Sequence, residues 1–377
     1  MIYLDHAAST YPYPEVLAFY QERYQTCSAN PSALHKWGQE AAGRLLRARR
    51  YLARIWSCKE EELLACSGAT EAINTVVKSW LYLQPGERRG KILISQGEHA
   101  AVQEAAAFVA GQRGWDCQHL PLLSSGSVDL EALEAALDEE VFLVCCMHVN
   151  NETGAINPVE DIGALVRSKA PRARFLVDEV QAFGKLELQP LGSYCDYAIF
   201  AGHKIHAPRG IGLLFHRSGQ PLLPLIHGGR QQANLRSGTE DPTLLECFCL
   251  AAKILLENRE EKWDRLRRLE AAFLEGLEEG TYCLNSPPDA APGIMNISFP
   301  GLRSETLLNA LSAEGVYASA SSSCHSRQGH SAVLAAMGLG EERLNSALRF
   351  SFDAAQTEEE VREAARICRG LYARYRL

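Results

Sequence analysis

No stretch of this 377-residue chain approaches the ~20 consecutive apolar residues that a helix needs to cross a bilayer. The chain opens on the strand-like MIYLD, without the basic and apolar segments of an export signal, so it reads as soluble, intracellular and cytoplasmic. Positive charge is not in surplus: 38 Lys and Arg stand against 46 Asp and Glu, a net charge of -8. A nucleic-acid partner would need a local basic patch, and direct nucleic-acid binding is disfavoured. Cys-x-x-Cys pairs are missing, and Cys247-x-Cys249 lies in a helical pattern, so a zinc or iron-sulfur site has no framework. The 12 cysteines lack a repeating spacing and mostly sit in or beside apolar runs, as buried thiols do in a reducing compartment. Neither the nucleotide P-loop nor the dinucleotide fingerprint occurs.

The chain does contain an alternation. Apolar runs at 91–95, 141–147, 174–178 and 197–200 have strand length, while 70–83, 99–111, 129–137 and 159–168 carry helical periodicity. This predicts an α/β layering with a mostly parallel sheet. Ligands of such sheets collect at the carboxyl ends of strands, where His99, Asn150, Asp178 and Lys204 fall. The helical pattern from Pro242 to Gly280 is too long for one ordinary helix and predicts a break near Glu257 to Glu261. Beyond it, shorter elements compose a smaller α+β unit, and residues 1 to 14 cross back to it or line the entrance between the two.

Chemistry can be assigned to several of these positions. Ser67-Gly68-Ala69-Thr70 passes from a turn into a helix, whose first amides and the Thr70 hydroxyl form a cup for a single phosphate, or a plain cap. Asp178 ends an apolar strand and needs a partner; a protonated pyridine nitrogen is one, a helix N-terminus another. Lys204 follows a buried strand, where an amine gives up its proton more easily and can form an imine. His99 can stack on a flat ring or cap the helix after it, and Gln181 shares the face of Asp178. Cys324 lies in SASSSCHSRQGHS without an apolar neighbour, an exposed thiol on a pliable loop.

In order and spacing, YLDHAAST (3–10), NPSALH (30–35), SGATEAIN (67–74), GEHAAV (97–102), HVNNETGAINPVEDI (148–162), VDEVQAFGK (177–185), GHKIHAPRGIG (202–212), GGRQQANLRSGTED (228–241), the Cys324 loop and ALRFSF (347–352) resemble NifS/IscS-type cysteine desulfurases. These are pyridoxal-phosphate enzymes of fold type I in the class V aminotransferase superfamily. The resemblance spans essentially the whole chain. It implies a large domain (15–256) with a mostly parallel seven-stranded sheet, and a small α+β domain (1–14 with 257–377) carrying the catalytic cysteine. Lys204 is then the lysine that binds pyridoxal 5'-phosphate, His99 stacks on the ring, Asp178 pairs with its nitrogen and Gln181 reaches its phenolic oxygen. Asn150 lies beside that oxygen and the substrate carboxylate. Ala69, Thr70 and His203 hold the phosphate, with Thr239 from the second subunit of a homodimer, and Arg349 clamps the substrate carboxylate. The implied reaction converts L-cysteine to L-alanine and leaves sulfur as a persulfide on Cys324. The sulfur then goes to a protein acceptor, an iron-sulfur scaffold or a tRNA-thiolation enzyme; the opening segment looks most like the shorter desulfurases that serve the latter.

Three departures from the family pattern stand out. His6 replaces an Asn, Ala201 replaces a phosphate-binding Ser, and the loop after Cys324 is short and lacks a Leu-Glu-Pro run. Selenocysteine or cystine lyase activity, a class V aminotransferase, and a cofactor-binding partner or regulatory scaffold without turnover are the alternative readings.

Overall fold

The computed structural model describes residues 1–26, 28–83, 89–320 and 330–376. Its strands, in chain order, are β1 (Ile2–Tyr3), β2 (Leu63–Cys66), β3 (Lys91–Ser95), β4 (Asp116–Leu120), β5 (Val141–Met147), β6 (Arg174–Asp178) and β7 (Tyr197–Ala201). They continue with β8 (Gly212–His216), β9 (Cys283–Leu284), β10 (Ile294–Ser298), β11 (Val316–Tyr317), β12 (Ser319–Ala320) and β13 (Ala347–Ser351). A seven-stranded sheet runs in the order β2-β8-β7-β6-β5-β3-β4. Only β8 is antiparallel to its neighbours, so the expected mostly parallel sheet is present.

Every residue of β5 is buried, because helices cover both faces of the sheet. Val144 and Cys146 pack on one side with Trp56, Phe175 and Phe200, and Phe142 and Cys145 on the other with Trp80 and Tyr197. The chain leaves β3 outward to β4 and returns to β5 on the far side of β3, which opens a crevice at the carboxyl end of the sheet.

The smaller unit is a four-stranded antiparallel sheet, β12-β13-β10-β9, packed on its own core of Leu269, Phe273, Phe299, Phe350 and Tyr372. β1 joins it by pairing in parallel with β11, so the start of the chain does cross back. The long helical segment breaks as the sequence predicts: Pro242–Leu256 ends at Glu257, and Arg259–Gly276 starts after Asn258, whose φ of 53° is left-handed. The described cysteines are free thiols, with Cys66, Cys145, Cys146, Cys195, Cys247 and Cys368 buried. Among the described residues no helix is long and apolar enough to cross a membrane.

Candidate active site

The strand ends of the large sheet and β13 of the small one enclose a cavity of about 590 Å3. Ala69, Thr70, His99, Asp178, Gln181, Ala201, His203, Lys204 and Arg349 all line it. Of the positions read from the sequence, these are brought together.

Asp178 ends β6 with its carboxylate buried, and Oδ1 accepts the Val180 N–H at 2.9 Å. Burial pushes the carboxyl up to about 6, with Val180 and then Lys204 pulling it back. Lys204 sits in the single 3-10 turn after β7 and donates to the carbonyls of Ala7 (2.5 Å) and Ala8 (2.8 Å). Burial, then the positive charges of Arg349 and Lys185, bring its amine down to about 7. An amine in that condition is available as a nucleophile or a proton acceptor near neutral pH.

Of the two roles open to His99 in the sequence, the structure shows the helix cap. Its Nδ1 accepts the Ala101 N–H at 3.1 Å and caps the helix Ala100–Arg113, which leaves the proton on Nε2 of the neutral ring, and the ring borders the cavity. Burial and Lys204 lower its pKa. His203 approaches Ser9 Oγ at 3.3 Å and is pushed down to about 4 by burial, Lys204 and Arg209, so it is neutral at physiological pH. Gln181 donates from Nε2 to the Ala7 carbonyl at 2.8 Å and accepts from Lys185 at 3.1 Å.

Open space lies over Gly68, where an added Cβ would meet nothing within 4 Å. The residue that cannot carry a side chain is Gly212, whose Cβ would fall 2.7 Å from the Cα of Gly68. The close backbone approach at this turn is therefore required of the strand behind it.

Asn150 does not face the cavity. It is 1% exposed, and its Oδ1 accepts from the N–H groups of Glu152 (2.9 Å) and Thr153 (3.0 Å) while Nδ2 donates to the Gly97 carbonyl. The side chain is consumed in holding its own turn, and Asn151 lines the cavity in its place. Thr239 is exposed and does not border the cavity of its own chain. Cys324 lies outside the described residues.

Three features were not read from the sequence. Arg349 donates to Asp5 Oδ1 at 2.7 Å and to the Asn151 carbonyl at 2.9 Å, so its guanidinium arrives oriented. Glu98 is buried, with Oε1 accepting the Met147 N–H and Oε2 without a hydrogen-bond partner among the described residues. Burial and the nearby Asp178 push its carboxyl up to about 8. His6 turns away from the site: its Nδ1 lies 3.5 Å from Asp353, which His206 Nε2 also meets at 3.3 Å. The Asp5 and Glu98 signals were in the sequence, as acids inside YLDHAAST and GEHAAV.

A buried carboxylate opposite a readily neutral amine, a helix N-terminus over open space and a flat histidine wall fit pyridoxal phosphate. The family model for class-V aminotransferases matches residues 2–363. A NifS/IcsS protein homolog of Lactobacillus delbrueckii subsp. bulgaricus is 36% identical over 371 residues, covering 96% of this chain and 95% of that protein. A protein named cysteine desulfurase 2 of Trichormus variabilis is 36% identical over 366 residues, covering 96% of this chain and 90% of its own. The solved structure of a NifS-like protein superposes with a TM-score of 0.92 at 32% identity, over 99% of both chains.

Proposed function

This chain belongs to the aminotransferase class-V family, among the NifS/IscS cysteine desulfurases, and from that membership we propose that it converts L-cysteine to L-alanine and moves the sulfur to Cys324. The observation that carries the reading is the meeting of Lys204, Asp178 and Arg349 on one cavity, a lysine, a carboxylate and a carboxylate clamp supplied by three separate strands or strand ends.

Pyridoxal phosphate held there supplies an electron sink that makes the substrate Cα proton removable and its C–S bond cleavable. Asp178 provides the counter-charge for the ring nitrogen, and Thr70, Ala69 and His203 hold the phosphate. Lys204 would hold the cofactor and, as a free amine, would take up the substrate Cα proton on Nζ, a task suited to an amine brought down to about 7. Arg349 fixes the substrate carboxylate, and Gln181 and His99 fix the ring. Asn150 acts through its turn, which presents Asn151 to the cavity. Cys324 as thiolate would attack the substrate sulfur; the S–S bond forms as the C–S bond breaks, that bond's electron pair passes to the substrate Cβ, and protons taken up at Cβ and returned to Cα give alanine beside the enzyme persulfide. A protein acceptor in the cytoplasm, a thiolation enzyme or an iron-sulfur scaffold, then takes the sulfur.

The working unit is a homodimer in which Thr239 of one copy completes the phosphate cup of the other. Two observations support this: Thr239 is exposed on a fixed loop, and Leu34 (90%) and Trp37 (64%) expose large apolar surface within the NPSALH region and the helix after it. Residues 15–256 act as the cofactor domain, and 1–14 with 257–377 as the domain that presents Arg349 and Cys324.

The test is cysteine turnover by cofactor-loaded protein with a reductant, measuring alanine and sulfide for the wild type and Cys324→Ala. Matched products that disappear in the variant support the reading. Equal sulfide release without Cys324, or no turnover by the loaded wild type, sinks it.

A further inference from the structure

We propose that Gln232 is a positioning residue for the anion cup: its side-chain amide stands in for a missing strand beside Ala65 and thereby fixes the loop that carries Thr239. The consequence for the phosphate rests on the reading of Thr239 given above; the docking of Gln232 does not.

β2 is the first strand of the large sheet and, among the described residues, has a neighbour, β8, on one side only. At Ala65 the backbone N–H donates to Gln232 Oε1 at 2.7 Å, and Gln232 Nε2 donates back to the Ala65 carbonyl at 2.9 Å. One amide thus satisfies both groups of a single residue, as an adjoining strand would. The side chain is 8% exposed, so the pair of bonds is shielded from water.

Two more ties close the loop. Arg49, on the helix Lys36–Ile55, donates from Nη2 to Gln232 Oε1 at 3.0 Å and pairs through the same nitrogen with Glu240, so it spans both ends of the segment. Arg236 grips Glu71 through two nitrogens at 2.9 and 3.3 Å, and Glu71 Oε2 also accepts the Ser67 N–H at 2.8 Å. Glu71 lies in the first turn of the helix Ala69–Leu83, beside Thr70. Loop and cup are therefore anchored to the same strand and the same helix.

The backbone shows what these ties hold in place. Gln232, Ala233 and Asn234 take φ values of 48°, 57° and 65°, three consecutive left-handed residues without a glycine. L-residues avoid that conformation, and a run of it persists only where the surroundings impose it. Freed of the Ala65 contact, the segment relaxes and Thr239 loses its fixed position.

The test is amide exchange by mass spectrometry on the full chain, with and without pyridoxal phosphate, together with the rate of cofactor loss. Gln232→Ala should speed exchange in residues 63–66 and 229–240 roughly tenfold and shorten cofactor retention by a similar factor, with β5 and β6 exchanging as in the wild type. Gln232→Glu supplies a second reading should the alanine variant unfold. With Arg49 and the Ala65 N–H both donating to this position, the introduced carboxyl stays ionised: it keeps the acceptor but cannot donate to the Ala65 carbonyl. The glutamate variant should therefore exchange faster than the wild type in both segments, with β5 and β6 unchanged. Unchanged exchange in both segments, or a loosened loop that keeps its cofactor, overturns the proposal. Failure of the desulfurase reading shows itself separately, as no alanine or sulfide from the wild type.

Discussion

Asp5 and Arg349 meet at 2.7 Å although 344 positions separate them, and the contact joins the crossing segment of the large sheet's entrance to the central strand of the small one. A second nitrogen of the same guanidinium holds the Asn151 carbonyl, so the fork is aimed before any substrate arrives. Arg349→Lys should raise the KM for cysteine by about 10- to 100-fold, because a single ammonium cannot hold Asp5, Asn151 and a carboxylate at fixed angles. Steady-state kinetics on protein with an unchanged cofactor absorbance would check this; an unaltered KM would remove Arg349 from the substrate.

The two adjacent asparagines separate stability from chemistry. Asn150→Ala should cost about 1–3 kcal/mol of stability, since the N–H groups of Glu152 and Thr153 lose their acceptor in the interior. Asn151→Ala should leave the denaturation midpoint near that of the wild type and lower turnover. Denaturant titrations beside turnover assays decide the matter, and the reverse pattern would restore Asn150 to the cavity.

Glu98 sets a slope of stability with pH. Its folded value of about 8 lies above the ordinary 4.5, so the folded protein keeps a proton that the unfolded chain has released across that window. This contribution therefore weakens stability as pH rises from about 4.5 to 8. Glu98→Gln removes the charge and keeps an acceptor for Met147. The variant should match the wild type near pH 5 and exceed it by on the order of 3 kcal/mol near pH 9 in the cofactor-free protein. Parallel curves at the two pH values would show that Glu98 is not neutral in the folded state.

Ala201 lines the cavity at the end of β7, and on the proposed reading a hydroxyl there would face the phosphate. Ala201→Ser should slow cofactor dissociation by about tenfold or more, the effect of one added hydrogen bond to a charged group. A stopped-flow or dialysis time course of the visible absorbance measures it, and an unchanged rate would place the phosphate elsewhere.

Asp178 and Lys204 are legible in the sequence because each follows a run of apolar residues, and a charged group at the end of such a run has to be used. β4 is not legible in that way: it reads Asp-Cys-Gln-His-Leu and lies at the sheet edge, where water satisfies one face. β8 is apolar, yet no local pattern distinguishes its antiparallel pairing from the parallel pairing of its neighbours. Asn150 and Asn151 share a motif, and only the tight turn reveals which of two neighbours faces the cavity. The Asp5–Arg349 and Gln232–Ala65 contacts join distant segments, so they exist only once the chain is folded.

The pairing of β1 with β11 imposes an order on assembly. Ile2 and Tyr3 are made long before their partners Val316 and Tyr317. The long-range closure is intrinsically slow, and the large sheet can collapse well before it. Ala7 and Ala8, whose carbonyls receive Lys204, follow directly on β1. The lysine can therefore reach its strand end early while its polar seat is still unpaired, and the site is unfinished until β11 and β13 have been made.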